Sequence, residues 1–343
     1  MDASTLRPAP DAETLALLQG IEIITAGWRD RLLSGDIAAS RAFASVIFRA
    51  FAGPPPAPGL CEISDLAVPG GDGERPARLY RPRGEAPQPV VLFLHGGGWS
   101  LGGIEDYDIL VHDLATQSGV AFLSLDYRLA PEHGYPAALE DVAAALAWLR
   151  DAAPRFGLRT DRIGLMGDSA GGNLAAVTAW LERGSDPTIA GQWLIYPMTD
   201  VSRPHEDFPS RLVCGDGDLF LTRGAIDAAR AWYLDQRTDL AVDPRVSPLN
   251  ADPAGLPPTQ IIVAGCDPLR DEGRDYHDRL AAAGVETSWR CYDSTIHAFL
   301  SFGVLDVAKA ARAALAQDMR IRLSAEPDAV RDRDGSLRAG TQG

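Results

Sequence analysis

The chain has 343 residues, 46% of them hydrophobic, and can therefore bury a large core in one or two domains. Its formal net charge is −15, which argues against a nucleic-acid partner and against binding to an anionic membrane surface. Lys309 is the only lysine and lies in an alanine-rich segment, which argues against a lysine nucleophile or Schiff base.

The four cysteines form no C-x-x-C pair, and we expect free thiols in a reducing compartment. One bridge stays open, because Cys266 and Cys291 are expected on neighbouring strands. The first residues lack the basic and apolar segments of a signal peptide, and no apolar run is long enough to span a membrane. These features predict a cytoplasmic protein without a membrane partner.

The first part of the chain, residues 1–59, is predicted to lie outside any sheet. Apolar residues recur at helical spacing in 11–52, with a break near Gly35 and Asp36 that predicts two helices. The proline-rich run 53–59 cannot form a helix and indicates a linker. A membrane-surface helix is the alternative interpretation of the phenylalanines in this segment. Only two arginines lie near them, which favours packing onto the protein's own surface.

Residues 60–323 alternate between strand and helix patterns, which predicts a mostly parallel, doubly wound α/β sheet. An antiparallel hairpin at the sheet edge, with a glycine-rich turn at 70–73, is predicted first. A continuously apolar strand follows, of the kind found in the centre of parallel sheets. Strands are predicted at 61–68, 77–81, 90–94, 120–125, 163–166, 191–196, 260–264 and 287–292. Helices are predicted at 107–117, 136–150, 173–181, 223–234, 272–283 and 307–322.

The alternation stops between residues 197 and 250, where the sequence is irregular apart from the helix at 223–234. We expect this insertion to form, together with 11–52, a cap over the carboxyl ends of the strands. The polar tail 324–343 is expected to be disordered. Large aromatic residues of the cap could line an apolar pocket or form the core of the cap: Trp28, Phe43, Phe48, Phe51, Phe208, Phe220 and Trp232.

A single serine lies in the run Gly167-Asp168-Ser169-Ala170-Gly171, between a buried strand and a helix of small residues. Gly-x-Ser-x-Gly in this context is typical of a nucleophile elbow, in which a strained turn presents the hydroxyl above the sheet. The hydroxyl would also lie at a helix N-terminus, where the dipole favours negative charge. A glycine-rich turn with no catalytic role has the same pattern. The other motifs of the chain are therefore needed to distinguish the two interpretations.

The strand 90–94 ends in His95 and three consecutive glycines, Gly96 to Gly98. A phosphate-binding loop would need a helix at once and a lysine in its first turn, and neither follows. An oxyanion hole fits better, since acyl transfer needs donors from this loop and from the residue after the nucleophile. We therefore expect the N–H groups of Gly97, Gly98 and Ala170 to be these donors, and His95 to brace the loop.

A serine nucleophile needs a base, and only one of the six histidines, His297, directly follows the last strand. The orienting acid should follow another strand and precede His297 in the chain. Asp267 does so directly after 260–264. Asp271 and Glu272 are the alternatives, but they fit better as first-turn acids of the next helix. Asp267 would hold the tautomer of His297 and stabilise its imidazolium.

Five motifs together resemble those of the hormone-sensitive lipase-like family of α/β-hydrolases, the bacterial type IV carboxylesterases. They are His95-Gly96-Gly97-Gly98-Trp99, Asp126-Tyr127-Arg128-Leu129-Ala130-Pro131-Glu132-His133, Gly167-Asp168-Ser169-Ala170-Gly171-Gly172, Asp267-Pro268-Leu269-Arg270-Asp271-Glu272 and His297-Ala298-Phe299. The resemblance runs from about residue 61 to residue 322. It implies the α/β-hydrolase fold with a helical cap. It also implies a nucleophile, base and acid at Ser169, His297 and Asp267, with oxyanion donors at Gly97, Gly98 and Ala170.

The function implied is that of a serine carboxylesterase, which hydrolyses short- to medium-chain acyl esters of small molecules through an acyl-enzyme, with no metal or cofactor. Amides, formamides or carbamates are alternative substrates, since the same three groups can cleave all of them. A non-catalytic small-molecule binder on this fold is a more remote alternative, because all three catalytic residue types are present. The natural substrate and the oligomeric state stay open, and a homodimer is compatible with the sequence.

Overall fold

An eight-stranded sheet flanked by helices forms the centre of the described chain. The structure, a computed structural model, describes residues 8–25, 27, 36–85, 87–187 and 189–324. Trp28 lies outside the described residues, and so does the tail 324–343 apart from Ser324, so the expected disorder of that tail stays a prediction. The strands are β1 (Cys61–Pro69), β2 (Glu74–Pro82), β3 (Gln88–Leu94), β4 (Ala121–Leu125), β5 (Leu158–Asp168), β6 (Gly191–Ile195), β7 (Thr259–Cys266) and β8 (Thr287–Ile296).

The strand order is β1-β2-β4-β3-β5-β6-β7-β8. Strand β2 pairs antiparallel with both β1 and β4, and all other neighbours are parallel. The predicted mostly parallel α/β sheet with an antiparallel hairpin at one edge is thereby confirmed. The carboxyl ends of the parallel strands all meet at one edge of the sheet.

The helices connect these strands and cover both faces of the sheet. They are α1 (Ala12–Ile24), α2 (Ile37–Phe51), α3 (Ile104–Ser118), α4 (Ala137–Ala152), α5 (Ala170–Leu181), α6 (Pro209–Cys214), α7 (Arg223–Leu234), α8 (Arg270–Ala282) and α9 (Asp306–Ser324). The sequence predicted all of them except α6, a six-residue helix in the insertion. Short 3₁₀ turns lie between several of them.

Strand β3 shows why the central strands are apolar without alternation. Val90, Leu92 and Leu94 face one core, to which α4, α5 and α8 contribute, while Val91 and Phe93 face a second core with α3 and α9. Successive side chains of a strand point to opposite faces. Because helices cover both faces, both sets must be apolar, and all five side chains are fully buried.

The N-terminal helices pack onto the edge where the strands have their carboxyl ends and onto the insertion. Asp36 caps α2, with Oδ1 accepting from Ala39 N at 3.0 Å. On the inner face of α2, Phe48 stacks on Tyr107 of α3, with ring centroids 5.3 Å apart, and contacts Phe220 of the insertion. These contacts form the expected helical cap. The domain boundaries at residues 59 and 323 stay predictions.

The four cysteines all lie within the described residues, and none of them forms a disulfide bond. Cys266 and Cys291 are on the neighbouring strands β7 and β8 as expected, but no bridge joins them. Among the described residues, none of the helices is both long and apolar enough to cross a membrane.

Candidate active site

Ser169 occupies the sharp turn between β5 and α5, as the sequence predicts. Its φ of 53° and ψ of −119° are a strained conformation for a residue with a side chain. A Cβ at Gly167 would lie 2.2 Å from the carbonyl oxygen of Gly171, and one at Gly171 would lie 2.0 Å from that of Leu94. Both distances are far below van der Waals contact with backbone atoms that cannot move freely. Only glycine therefore fits at these two positions of the turn.

His297 lies between Ser169 and Asp267. Its Nε2 is 3.0 Å from Oγ of Ser169, and its Nδ1 is 2.7 Å from Oδ2 of Asp267. The other oxygen of Asp267 accepts from Leu269 N at 2.8 Å. A carboxylate only accepts hydrogen bonds, so Nδ1 is assigned the proton and the free Nε2 faces the hydroxyl. The structure thus brings together the three side chains proposed from sequence, and all three are buried.

The ends of three parallel strands explain this meeting of distant residues. Ser169, Asp267 and His297 each follow directly on the last residue of a strand: β5, β7 and β8 respectively. Strand β8 runs on through the polar residues 293–295 to Ile296, four residues beyond the predicted end. His297 therefore lies in the turn directly after the strand, at the carboxyl-end edge of the sheet.

The glycine loop after β3 faces the same place. Gly97 and Gly98 have φ of 110° and 60°, which only glycine adopts readily. Within the described chain, no acceptor is found for the N–H groups of Gly97, Gly98 and Ala170. They are free to bind a ligand oxygen. A Cβ at Gly98 would lie 2.8 Å from Cβ of Ala229, because cap helix α7 packs directly on this loop.

His95 supports the glycine loop through its backbone and its ring, as the sequence suggests. Its Nδ1 lies 2.8 Å from the carbonyl oxygen of Gly96, and its own carbonyl accepts from the Tyr127 hydroxyl at 2.7 Å. The two rings stack with centroids 4.4 Å apart. Burial lowers the pKa of His95, which favours the neutral imidazole.

Asp168, the residue before Ser169, has a role that the sequence analysis missed. Its Oδ1 accepts from Gly96 N at 2.7 Å, and its Oδ2 accepts from the Tyr107 hydroxyl at 3.1 Å. Burial raises the pKa of this carboxyl to about 7. The signal in the sequence was an acidic residue that comes directly after the apolar run 163–167 at the end of β5. Asp168 links the elbow to the glycine loop.

Two further residues outside the motifs support His297. Arg312 on α9 is almost fully buried and donates from Nε to the carbonyl of Leu300 at 2.9 Å and from Nη2 to that of Ser301 at 3.2 Å. It thereby holds the turn that follows His297. The ring of Tyr196 packs against the imidazole, with centroids 4.8 Å apart. Nothing in the alanine-rich pattern of α9 distinguishes Arg312 as a buried residue.

A cavity of about 120 Å³ opens onto Ser169 and His297. Its walls come from α2, α7, the glycine loop and the residues around Phe220. Three of the proposed aromatic residues line it: Phe48, Phe220 and Trp232. Phe51 instead packs on Phe302, and Phe208 lies beneath two arginines of the insertion. Apart from His297, Asp168 is the only described lining residue with an acidic or basic side chain.

Comparison with known proteins places the chain in a family. The family model described as the alpha/beta hydrolase fold matches residues 91–301. A carboxylic ester hydrolase of Mycobacterium tuberculosis, LipN, is 41% identical over 318 residues, which cover 91% of this chain and 81% of that protein. An ethyl acetate hydrolase of Pseudomonas putida is 34% identical over 252 residues, 70% of this chain and 76% of that protein.

A solved structure agrees with these sequence relatives. An ester hydrolase from the metagenome of Lake Arreo, complexed with a derivative of bipyridine phosphonate, superimposes with a TM-score of 0.85 at 38% identity. The match covers 92% of this chain and 100% of that chain. The present chain belongs to the hormone-sensitive lipase-like family of α/β-hydrolases. Within that family it is a carboxylic ester hydrolase.

Proposed function

We propose that the chain hydrolyses esters through an acyl-enzyme formed on Ser169, with His297 as the base and Asp267 as the orienting acid. The observation that carries this proposal is the continuous hydrogen-bonded path from Asp267 through His297 to Ser169. A free imidazole nitrogen at 3.0 Å from a hydroxyl is within the range in which it can take the hydroxyl proton.

The first half of the reaction forms the acyl-enzyme. The Ser169 oxygen attacks the ester carbonyl while its proton passes to Nε2 of His297. The carbonyl oxygen becomes an oxyanion, to which the N–H groups of Gly97, Gly98 and Ala170 donate. The C–O bond to the alcohol then breaks, and the alkoxide leaves with the proton held by His297. Asp267 stabilises the imidazolium during these steps without accepting the proton.

The second half returns the enzyme to its starting state. Water gives a proton to His297 and attacks the acyl carbonyl in place of the alcohol. The second oxyanion collapses, the bond to Ser169 Oγ breaks, and the serine regains its proton from His297. The products are one carboxylic acid and one alcohol per ester and water consumed.

The substrates we propose are neutral esters with short- to medium-chain acyl groups. The cavity is small and mostly apolar, and among the described residues Asp168 is the only acidic or basic one lining it besides His297. An apolar wall binds alkyl groups and disfavours a charged substrate. The Pseudomonas putida relative named for ethyl acetate hydrolysis supports the short end of this range.

Replacement of Ser169 tests the proposal. Ser169→Ala should abolish nearly all turnover of nitrophenyl esters while the thermal unfolding midpoint stays close to that of the unmodified chain. An alkyl phosphonate should modify the wild type at Ser169, as shown by peptide mass, and leave the variant unmodified. Ser64→Ala, on edge strand β1, is the matched control and should keep full activity. Modification of another serine, or activity retained in the Ser169 variant, would contradict the mechanism. In a separate experiment, a panel of matched amides and carbamates would show whether the wild type also cleaves bonds other than esters.

A further inference from the structure

Helix α6 of the cap lies directly on the connection that carries Asp267. The hydroxyl of Ser210 donates to the carbonyl of Pro268 at 2.7 Å and accepts from Asp271 N at 3.1 Å. Oδ2 of Asp271 accepts in turn from Ser210 N at 2.7 Å. Three hydrogen bonds therefore join the cap to the segment between β7 and α8.

A buried ion pair lies beside these bonds. Arg211 of α6 is 1% exposed and Glu272 of α8 is 0% exposed. Arg211 donates from Nε to Oε2 of Glu272 at 3.0 Å, and its Nη2 donates to the same oxygen. Nη2 also donates to the carbonyl of Asp200 at 2.5 Å, and the guanidinium lies 4.4 Å from the ring centroid of Phe208. Both charged groups are thus paired and fixed in direction.

The second oxygen of Glu272 reaches the segment that supports Ser169. Oε1 accepts from Thr199 N at 2.7 Å and from Asp200 N at 3.3 Å. Met198, just before Thr199, donates its N–H to the carbonyl of Ser169 at 3.1 Å. Glu272 therefore connects the backbone that carries Asp267 with the backbone that holds Ser169.

We infer that Arg211 and Glu272 are positioning residues, which keep Asp267 and Ser169 at the separation that His297 bridges. This inference rests on the proposed function of those three residues. Neither member of the pair touches the reacting atoms. Misplacement of a catalytic group by about 1 Å can cost about 10²-fold in rate.

Stability alone explains such a pair poorly. Apolar residues of similar volume often stabilise a protein as well as a buried ion pair, or better. Burial raises the pKa of Glu272 to about 7, although the charge of Arg211 opposes this rise. A carboxylate with four N–H donors aimed at its two oxygens is instead suited to fixing geometry, because each bond constrains direction as well as distance.

Three variants test the inference. In Glu272→Gln the amide has the same shape, but its NH₂ must face N–H donors, either those of Arg211 or the backbone N–H groups that Oε1 now accepts from. The double variant R211M/E272Q leaves no charge buried at this position, so it folds even where a single change leaves one partner unpaired. Arg211→Lys keeps the charge that Glu272 needs and gives up only the forked geometry.

Two matched controls remove similar groups that do not belong to the pair. Arg203→Met removes an arginine that lies 4.8 Å from the same Phe208 ring but does not contact Glu272. Asp275→Asn removes an acid from the next turn of α8, which is half exposed and pairs with Arg203. Both controls should retain wild-type turnover.

The measurement is turnover of a nitrophenyl ester divided by the number of sites that an alkyl phosphonate titrates. This ratio separates badly positioned sites from unfolded ones. We expect kcat per titrated site to fall by about 10- to 100-fold in Glu272→Gln and in the double variant, with KM changed less than about 3-fold. Arg211→Lys, which keeps the positive charge beside Glu272, should retain most of the wild-type kcat per titrated site.

Unchanged turnover per titrated site would overturn the inference. If kcat per titrated site in Glu272→Gln and in R211M/E272Q stays within about 2-fold of the controls, and only the fraction of titratable sites falls, the pair serves folding alone. Failure of the proposed function gives a different result. In that case the phosphonate does not modify Ser169 even in the wild type, and the inference falls with it.

Discussion

The side chain of Asp168 is buried and its pKa is raised. The free energy of unfolding should therefore depend on pH through this one carboxyl group. The carboxyl is 1% exposed and its pKa rises from an ordinary 3.8 to about 7 because burial disfavours the charged form. The titratable groups that face it are the hydroxyls of Tyr107, Tyr127 and Tyr196 and the imidazole of His297. None of them supplies a permanent positive charge.

The sign of the effect follows from the two pKa values of Asp168. The folded chain holds the proton up to about pH 7, while the unfolded chain releases it near pH 3.8. The stability contributed by the bound proton is therefore fully present below the pKa of the unfolded chain. It is lost as the pH rises through the pKa of the folded chain. Between about pH 5 and about pH 8 the loss amounts to about 3 kcal/mol.

The variant Asp168→Asn removes this dependence while keeping the shape of the side chain. Its amide oxygen can still accept from Gly96 N, and its NH₂ can face the hydroxyl oxygen of Tyr107. The rest of the chain titrates alike in both proteins, so the difference between them isolates Asp168. As the pH rises from about 5 to about 8, the wild type should lose about 3 kcal/mol more unfolding free energy than the variant.

Urea unfolding at several pH values, with the slope checked for constancy, measures this difference. For a slope near 3 kcal/mol per molar, the urea midpoint of the wild type should fall by about 1 M more than that of the variant. Asp186→Asn, on an exposed loop, is the control and should run parallel to the wild type. If the curves of Asp168→Asn and wild type also run parallel across this range, the carboxyl keeps its ordinary pKa and the reasoning fails.

Three more outcomes are expected. Asp267→Asn should lower kcat by about 10⁴-fold, as loss of the orienting acid does in another enzyme with this triad, and a mild effect in steady-state kinetics would place the acid elsewhere. Gly171→Ala should lose several kcal/mol of stability, measured by thermal unfolding, because its Cβ would meet the carbonyl of Leu94 at 2.0 Å. Gly84→Ala, which meets only the end of a glutamine side chain, should stay near wild type, and equal losses would contradict the steric argument. Trp232→Ala should raise kcat/KM for octanoyl relative to acetyl esters, since it widens the cavity; an unchanged ratio would exclude this residue from selectivity.

The sheet could be predicted from sequence because its strands are buried on both faces. Continuous apolar runs such as Val90–Leu94 have no other stable environment in a chain of this composition. The ends of strands were less predictable. Strand β5 was predicted over 163–166 but runs from Leu158 to Asp168, with a register shift opposite Gln88 and Val90. Residues 159–162 are polar and lie within this register shift, and pairing with β3 is found again only at Leu158, so no apolar pattern marks the start of the strand.

The three proposed catalytic side chains could be located because chain order and strand ends constrain them. Each must directly follow a parallel strand, and the order serine, acid, histidine leaves few candidates. Helix α6 could not be located in the same way. It is six residues long and begins at Pro209. Its stability comes from contacts with Asp271 and Glu272, 61 residues further along the chain, and no local periodicity records contacts of that range.

The acids in Asp267-Pro268-Leu269-Arg270-Asp271-Glu272 show where sequence reasoning ends and geometry begins. All three are carboxylates within six residues, and helix-start chemistry alone assigns Asp271 and Glu272 to the first turn of α8, where the structure indeed places them. Their side chains nevertheless differ in what they bond: Asp267 faces His297, Asp271 accepts from the backbone of Ser210 in α6, and Glu272 pairs with Arg211. The partner of Asp267 follows β8, whereas the partners of Asp271 and Glu272 are adjacent residues of α6. A first-turn acid stabilises its helix by a modest amount from any rotamer that keeps its charge near the N-terminus. Each oxygen of a buried acid must instead meet hydrogen-bond donors at fixed positions. Substitution of such an acid should therefore affect the distant site that holds those donors more than its own helix.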